Sequence, residues 1–180
     1  MDGSARHVRP VVVTMSAIDA RKTDRGVDRP DAKPVSASAS WVVRRMKPAE
    51  ANVAGNVHGG VILQLCDEAA VTAAMRHARR RVATVRVSEV TFSGPVAIGE
   101  LLTFKTSVNA VFGSSMEIGV RVEAEDLETG EIRHTTSAYI VMVALGDDGK
   151  PEDVPELEPD APEAERRARE AHERRAKDFG

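Results

Sequence analysis

The stretch Asn52-Val53-Ala54-Gly55-Asn56-Val57-His58-Gly59-Gly60, running into Val61-Ile62-Leu63-Gln64-Leu65-Cys66-Asp67-Glu68-Ala69-Ala70, decides how the rest of the chain reads. Asn52, Gly55 and Asn56 cluster small and αL-tolerant residues into a loop, and Gly59-Gly60 opens a helix. From Val61 to about Arg79 there is neither proline nor glycine, and Ala, Leu, Met and Gln recur. Arg76, His77, Arg79 and Arg80 close the segment with cations that complement the negative end of the helix dipole. Val61, Ile62, Leu63, Leu65, Ala69, Ala70, Val71, Ala73, Ala74 and Met75 leave a narrow polar stripe, so the helix is expected to be buried and wrapped by other material. Asp67-Glu68 sits two turns into it. A carboxylate in such a place is paired, neutral or at work.

The wrapping material follows. Residues 83–92 alternate Thr84, Arg86 and Ser88 with Val85, Val87 and Val90 and read as a strand; Ser93-Gly94-Pro95 interrupts, and Ile98-Gly99-Glu100 turns into the next. Residues 101–111, 116–125 and 133–145 give three more strands, separated by Phe112-Gly113-Ser114-Ser115 and Glu128-Thr129-Gly130-Glu131. Upstream, residues 41–46 form a first strand that Lys47-Pro48 ends. Four long strands on short turns predict an antiparallel meander. With the first strand, a five-stranded antiparallel sheet curls around one long helix in an α+β fold. Residues 1–40 are polar and without periodicity, which predicts a disordered leader before a domain over residues 41–160. Residues 161–180 pair Glu with Arg at i,i+4 but lack an apolar stripe, which predicts a solvated helix or frayed tail.

Composition narrows the function classes. At 180 residues with 42% hydrophobic content, the chain suits one domain with tails. A net charge of −3 gives no global attraction to nucleic acid or anionic membrane, and 3% aromatics leave little for stacking single-stranded nucleic acid. One cysteine, Cys66, excludes an internal disulfide and is compatible with a reducing cytosol. Val11-Val12-Val13 is too short for a signal peptide or membrane span, so a soluble, cytoplasmic protein without membrane insertion is expected.

Taken as an ordered set, the segment from Ala51 to Gly60, Asp67-Glu68 followed by Arg76-His77, Phe92-Ser93-Gly94-Pro95-Val96 with Ile98-Gly99, Ser114-Ser115-Met116-Glu117, and Gly149-Lys150-Pro151 with Val154-Pro155 resemble the hotdog-fold acyl-CoA thioesterases. The likeness is to the cytosolic, brain-type acyl-CoA hydrolases and their bacterial relatives, over about residues 41–160. It implies hydrolysis of fatty acyl-CoA to free fatty acid and CoA, with no metal or other cofactor and no Ser-His-Asp triad. It places Asn56 and Asp67 on the family's catalytic asparagine and aspartate, and the glycine pair on the loop whose amides polarise the thioester carbonyl. It implies self-association as dimers and a trimer of those dimers. Ser114 and Ser115 fall where the family contacts CoA, although this chain has Gly113 where many relatives carry a basic residue.

The residues suit that chemistry. Thioester hydrolysis needs an activated water or nucleophile on one side of the carbonyl and donors for the developing oxyanion on the other. Amides at a helix N-terminus are such donors, and Gly59 and Gly60 let a substrate approach them closely. Asp67 is a general base or a nucleophile, against the plainer reading of a carboxylate paired with Arg76 or with backbone donors. Glu68 points about 100° away round the helix and is structural or interfacial. Asn56 orients a water or holds the thioester, where a loop asparagine otherwise caps a turn. His58 is a donor near the oxyanion, Arg86 with Arg79, Arg80 and Arg81 meets CoA phosphates, and Cys66 is a small core residue. Asp67 lies roughly 12 Å along the axis from Gly59, so the Asn56 and Asp67 that share a carbonyl are expected to come from two chains related by a two-fold. A non-catalytic acyl-CoA sensor with the same pocket is the alternative, and a nucleic-acid binder working through the arginine run is disfavoured by composition.

Overall fold

The computed structural model describes residues 31–179. In chain order it contains β1 (Ala32–Pro34), β2 (Ser40–Arg45), α1 (Gly59–Ala78), β3 (Arg81–Phe92), β4 (Leu101–Phe112), β5 (Ser115–Glu125), β6 (Ile132–Leu145), β7 (Glu156–Glu158) and α2 (Pro162–Phe179). The five long strands form one antiparallel sheet in the order β2-β4-β5-β6-β3 around α1. Ile62, Leu65, Cys66, Ala69, Ala70, Ala73 and Ala74 of the helix face Leu102, Phe104, Val108, Ile118, Val122, Ile140 and Met142 of the sheet, each 3% exposed or less. The alanines let the strands approach the helix closely, and the branched and aromatic residues of the sheet fill the space between them.

The expected meander is only partly present. β4, β5 and β6 follow one another, whereas β3 crosses over to pair with β6. A hairpin loop of two to five residues would have set β3 beside β4, but residues 93–100 are too many and contain Pro95. They run instead over the start of α1, where the Val57 amide donates to the Val96 carbonyl at 2.8 Å and Asn56 bridges Ala97. Buried Glu100 pins the crossover, accepting from the Ala97 amide at 2.7 Å and pairing with Arg133 of β6. Arg133 also holds the Glu100 carboxyl below the usual range.

Two expectations about the ends are corrected. Of the leader, residues 1–30 lie outside the described residues, but residues 31–40 are built into the fold. β1 pairs in parallel with β7, Val35 is buried, and the buried Ser38 hydroxyl donates to the Val35 carbonyl and accepts from the Val108 amide. Composition concealed this because polar side chains bonded to backbone, rather than an apolar run, hold the segment. The C-terminal helix is docked rather than solvated. Ala164 and Ala171 are buried against the sheet, Arg174 pairs with buried Glu117 at 2.7 Å, and its guanidinium lies 3.6 Å over the Tyr139 ring. Alanines and arginine stems form this contact, so no stripe of large apolar residues announces it. Glu117 and Tyr139 alternate with Ile118 and Ile140, which places α2 on the face of the sheet away from α1.

Candidate active site

The sequence-predicted residues divide between two places on the molecule. The first lies at the start of α1. Here Asn52, Asn56, Val57, Gly59, Ile62, Phe92, Pro95 and Val96 line a cavity of about 380 Å³. Gly59 packs under Phe92, since a Cβ there would sit 3.5 Å from the ring. As the first residue of the helix, its amide has no intrahelical acceptor. The next amide is capped: Gly60 N–H donates to Nδ1 of His58, the N-cap residue, at 3.0 Å. His58 was expected to donate near the oxyanion; with Nδ1 accepting, its neutral ring carries the proton on Nε2.

Asn52 was not singled out by sequence reasoning, although it belongs to the loop that leads into the helix. Its Oδ1 accepts from the amides of Ala54, at 2.9 Å, and Asn56, at 3.2 Å. That pair of donors fixes the orientation of the carboxamide of this cavity-lining residue, and Nδ2 is its donor. Asn56 shares the cavity wall, while its carbonyl accepts from the Asn52 amide at 2.7 Å and its backbone bridges Ala97. Two N–H groups directed at one side-chain oxygen are a turn signal that Asn-x-Ala-x-Asn allows.

The second place is the middle of α1 and the strands beside it. Asp67 is half-buried, and Thr84 of β3 donates to its Oδ1 at 2.6 Å. Thr84, not Arg76, is therefore its partner. Thr84 stands opposite Met142, which stands opposite Met116, so Asp67 lies beneath the end of the sheet that carries the Ser114-Ser115 turn. The Ser115 hydroxyl donates to the Phe112 carbonyl at 3.2 Å, and Ser114 accepts through its carbonyl from the Ala144 amide at 2.9 Å. Arg86 is exposed on β3 just past the irregularity that follows Thr84. Glu68 points elsewhere and bonds Gln64 at 2.9 Å. Burial above all, and then the Asp67 carboxylate, push the Cys66 thiol up to about 12, which removes it as a nucleophile. Of the arginine run, Arg80 is paired with Glu152 at 3.0 Å and Arg81 donates to the Gly146 carbonyl at 3.2 Å.

Neither Asp67 nor Thr84 lines the cavity that holds Asn52, Asn56 and Gly59. One chain thus presents a donor-rich half and an acidic half, about two helical turns apart. Beside the acidic half, edge strand β3 is open to solvent with Val85 at 58% and Val87 at 41% exposure, and Met75 of α1 is 44% exposed. Among the described residues there is no group of three or more His, Cys, Asp or Glu that could hold a metal, and no helix long and apolar enough to cross a membrane.

Residues 54–131 match the Thioesterase superfamily profile. The chain is 42% identical over 112 residues to the Helicobacter pylori Protein VdlD, an alignment covering 62% of this chain and 64% of that protein. It is 37% identical over 135 residues to the mouse acyl-coenzyme A thioesterase 11, covering 74% of this chain and 23% of that one. Over 119 residues it is 33% identical to the uncharacterized acyl-CoA thioester hydrolase YkhA of Bacillus subtilis, covering 66% and 69%. It spans somewhat under two thirds of the Helicobacter protein and about a quarter of the mouse one. Among solved structures, an apo-hexameric acyl-CoA thioesterase superposes with a TM-score of 0.79 at 34% identity, covering 81% of this chain and 94% of that one. An acyl-CoA hydrolase from Staphylococcus aureus, solved with butyryl coenzyme A, coenzyme A and coenzyme A disulfide, gives 0.77 at 29% identity, covering 81% and 89%. Variants of the Staphylococcus enzyme have also been solved with alanine replacing an asparagine, an aspartate 15 positions later, and a threonine 17 positions beyond that.

Proposed function

The chain belongs to the hotdog-fold thioesterase superfamily, and on that premise we propose that it is an acyl-CoA thioesterase, which cleaves fatty acyl-CoA to free fatty acid and CoA. The observation that carries this reading is a spacing joined to a geometry. Asn52, Asp67 and Thr84 stand 15 and 17 positions apart, as do the three residues replaced in the Staphylococcus hydrolase, and here Thr84 holds Asp67 while Asn52 presents a donor. The asparagine role expected of Asn56 accordingly passes to Asn52, with Asn56 supporting the loop.

In this proposal Asp67 takes a proton from a water that attacks the carbonyl, or attacks the carbonyl itself to form an acyl-aspartate anhydride that water then hydrolyses to free fatty acid and the original carboxylate. The carbon–sulfur bond breaks after a new carbon–oxygen bond forms, and the CoA thiolate leaves and is protonated. Nδ2 of Asn52 and the amides of Gly59 and Gly60 stabilise the oxyanion, Gly60 once the His58 ring has moved off its N–H. Arg86, Ser114 and Ser115, grouped at the acidic end, take the CoA moiety. No cofactor enters any step.

The separation of the two halves supports a site completed by a second copy. Two chains pairing antiparallel through β3 and α1 would bury Val85, Val87 and Met75 and bring the Asn52 half of one to the Asp67 half of the other. A homodimer is therefore the active unit in this reading, three such dimers making a hexamer, the state named for several of the solved relatives, and the enzyme works in the cytosol. Purified chain given a panel of acyl-CoAs from short to long is expected to release free CoA thiol with saturation kinetics. Binding of acyl-CoA without thiol release would instead make it a sensor.

A further inference from the structure

On the face of the sheet away from α1, α2 and the strands enclose a second cavity of about 460 Å³. Trp41, Ser107, Asn109, Tyr139 and Arg167 are among the residues that line it. It takes no residue from either half of the thioester site. Alternation along β4 sets Asn109 on the α2 face with Lys105 and Ser107, opposite core-facing Phe104 and Val108. Gly119 on the neighbouring strand makes room for it, because a Cβ there would come within 2.7 Å of Asn109 Nδ2.

Asn109 is only 2% exposed, and its Nδ2 donates to Glu117 at 3.1 Å. Its Oδ1 is buried without a partner, and so is Nε of Arg167 on α2. The other cations of the wall are engaged: Arg166 with Glu163 and Glu170, Lys105 and Arg121 with Glu123. Buried polar atoms are almost always paired, and a helix that only had to cover the sheet would do so with an apolar residue at position 167. The Arg167 charge acts on Asp160 and Glu163 of the same wall, but its Nε–H and Asn109 Oδ1 lack hydrogen-bond partners, and this donor and acceptor match a ligand that carries the complementary pair.

We propose that this cavity binds a small organic carboxylate bearing an adjacent hydroxyl and a flat apolar body. The carboxylate accepts from Arg167, the hydroxyl donates to Asn109 Oδ1, and the body lies against Trp41, a residue 64% exposed. Trp41 is the single tryptophan of the chain, so its fluorescence reports on this cavity alone.

The full chain is titrated with 3-phenyllactate and with 3-phenylpropionate, which differ by the hydroxyl. The hydroxy acid is expected to give a saturable fluorescence change and a rise in Tm, and the acid without the hydroxyl to bind at least about tenfold more weakly, because Asn109 Oδ1 is then left unmet. Arg167→Gln and Asn109→Leu are expected to abolish the response. Arg167→Lys keeps the cation and removes the Nε–H; it is expected to melt as the parent does and to lose binding, so the test stands even where Asn109→Leu does not fold. No saturable change in the parent chain, equal affinity for the two acids, or full binding by Arg167→Lys would each overturn the proposal and leave water as the occupant. Thiol release is not the readout, so the result is independent of the proposed hydrolase activity.

Discussion

The hydroxyl of Thr84 donates a 2.6 Å hydrogen bond to Oδ1 of Asp67, tying edge strand β3 to the middle of the central helix. One carboxylate oxygen is thereby fixed, which orients the group for the role proposed for it. Thr84→Val keeps the shape and removes the bond; it is expected to lower kcat by about 10²-fold with KM little changed, as a misplaced catalytic group does. Thr84→Ser is expected to recover most of the rate. Asp67→Asn removes the base or nucleophile and is expected to cost about 10²–10⁴-fold. Thiol release with unaltered Tm is the measurement. Parent-like turnover in Asp67→Asn would remove Asp67 from the mechanism, and in Thr84→Val would remove Thr84 as its positioning residue.

Asn52 and Asn56 are separable by substitution. Asn52→Asp retains an oxygen to accept from the amides of Ala54 and Asn56, so the turn survives, but it replaces the Nδ2 donor with a second acceptor. The expected loss in kcat is about 10²–10³-fold, the scale of a lost oxyanion donor. Asn56→Ala, which leaves both of those backbone bonds in place, is expected to cost far less. A larger loss at Asn56 than at Asn52 would return the role to Asn56.

Much of this architecture was legible because local signals agreed. The apolar coverage of α1 announced a wrapped helix, and period-two runs bounded by Gly113 and Gly130, both at positive φ, announced strands and their turns. What escaped depended on pairings distant in sequence. β3 beside β6, and β1 beside β7, leave no mark in composition, and α2 is docked by alanines and by Arg174 on Glu117. The candidate site divides the same way. Asp67 stood out as an acid in an apolar helix, and its separation from the loop followed from helix rise alone. Its partner Thr84 is one polar residue among several on an alternating strand. The loop offered two asparagines, and only the hydrogen bonds to Asn52 Oδ1 show which one has its carboxamide locked in place.

A shared site makes a prediction about mixtures. Chains carrying Asp67→Asn and chains carrying Asn52→Asp are each expected to be nearly inactive alone. In a mixed dimer one site receives both substitutions and the other receives neither. Unfolding and refolding an equal mixture should therefore recover about a quarter of the parent activity, since half the dimers are mixed and half their sites intact. No recovery, with mixed dimers demonstrated by tagging, would place the whole site within one chain.

His77 gives the fold a pH dependence of definite sign. It is fully buried near the end of α1, with Nε2 donating to the Pro155 carbonyl at 2.7 Å and Nδ1 left unpartnered. Burial above all lowers its pKa; Lys33 adds to this, while the Pro155 carbonyl and Glu156 oppose it. The folded value therefore lies below the unfolded one of 6.5, and on acidification the unfolded chain takes the proton first. Stability is undiminished above the unfolded value and falls as pH drops from about 6.5 toward the lower folded value. His77→Gln can still donate to Pro155 but does not titrate there. Urea midpoints of the parent should fall more steeply between about pH 7 and pH 5 than those of the variant. Parallel curves would show that His77 is not the group that titrates.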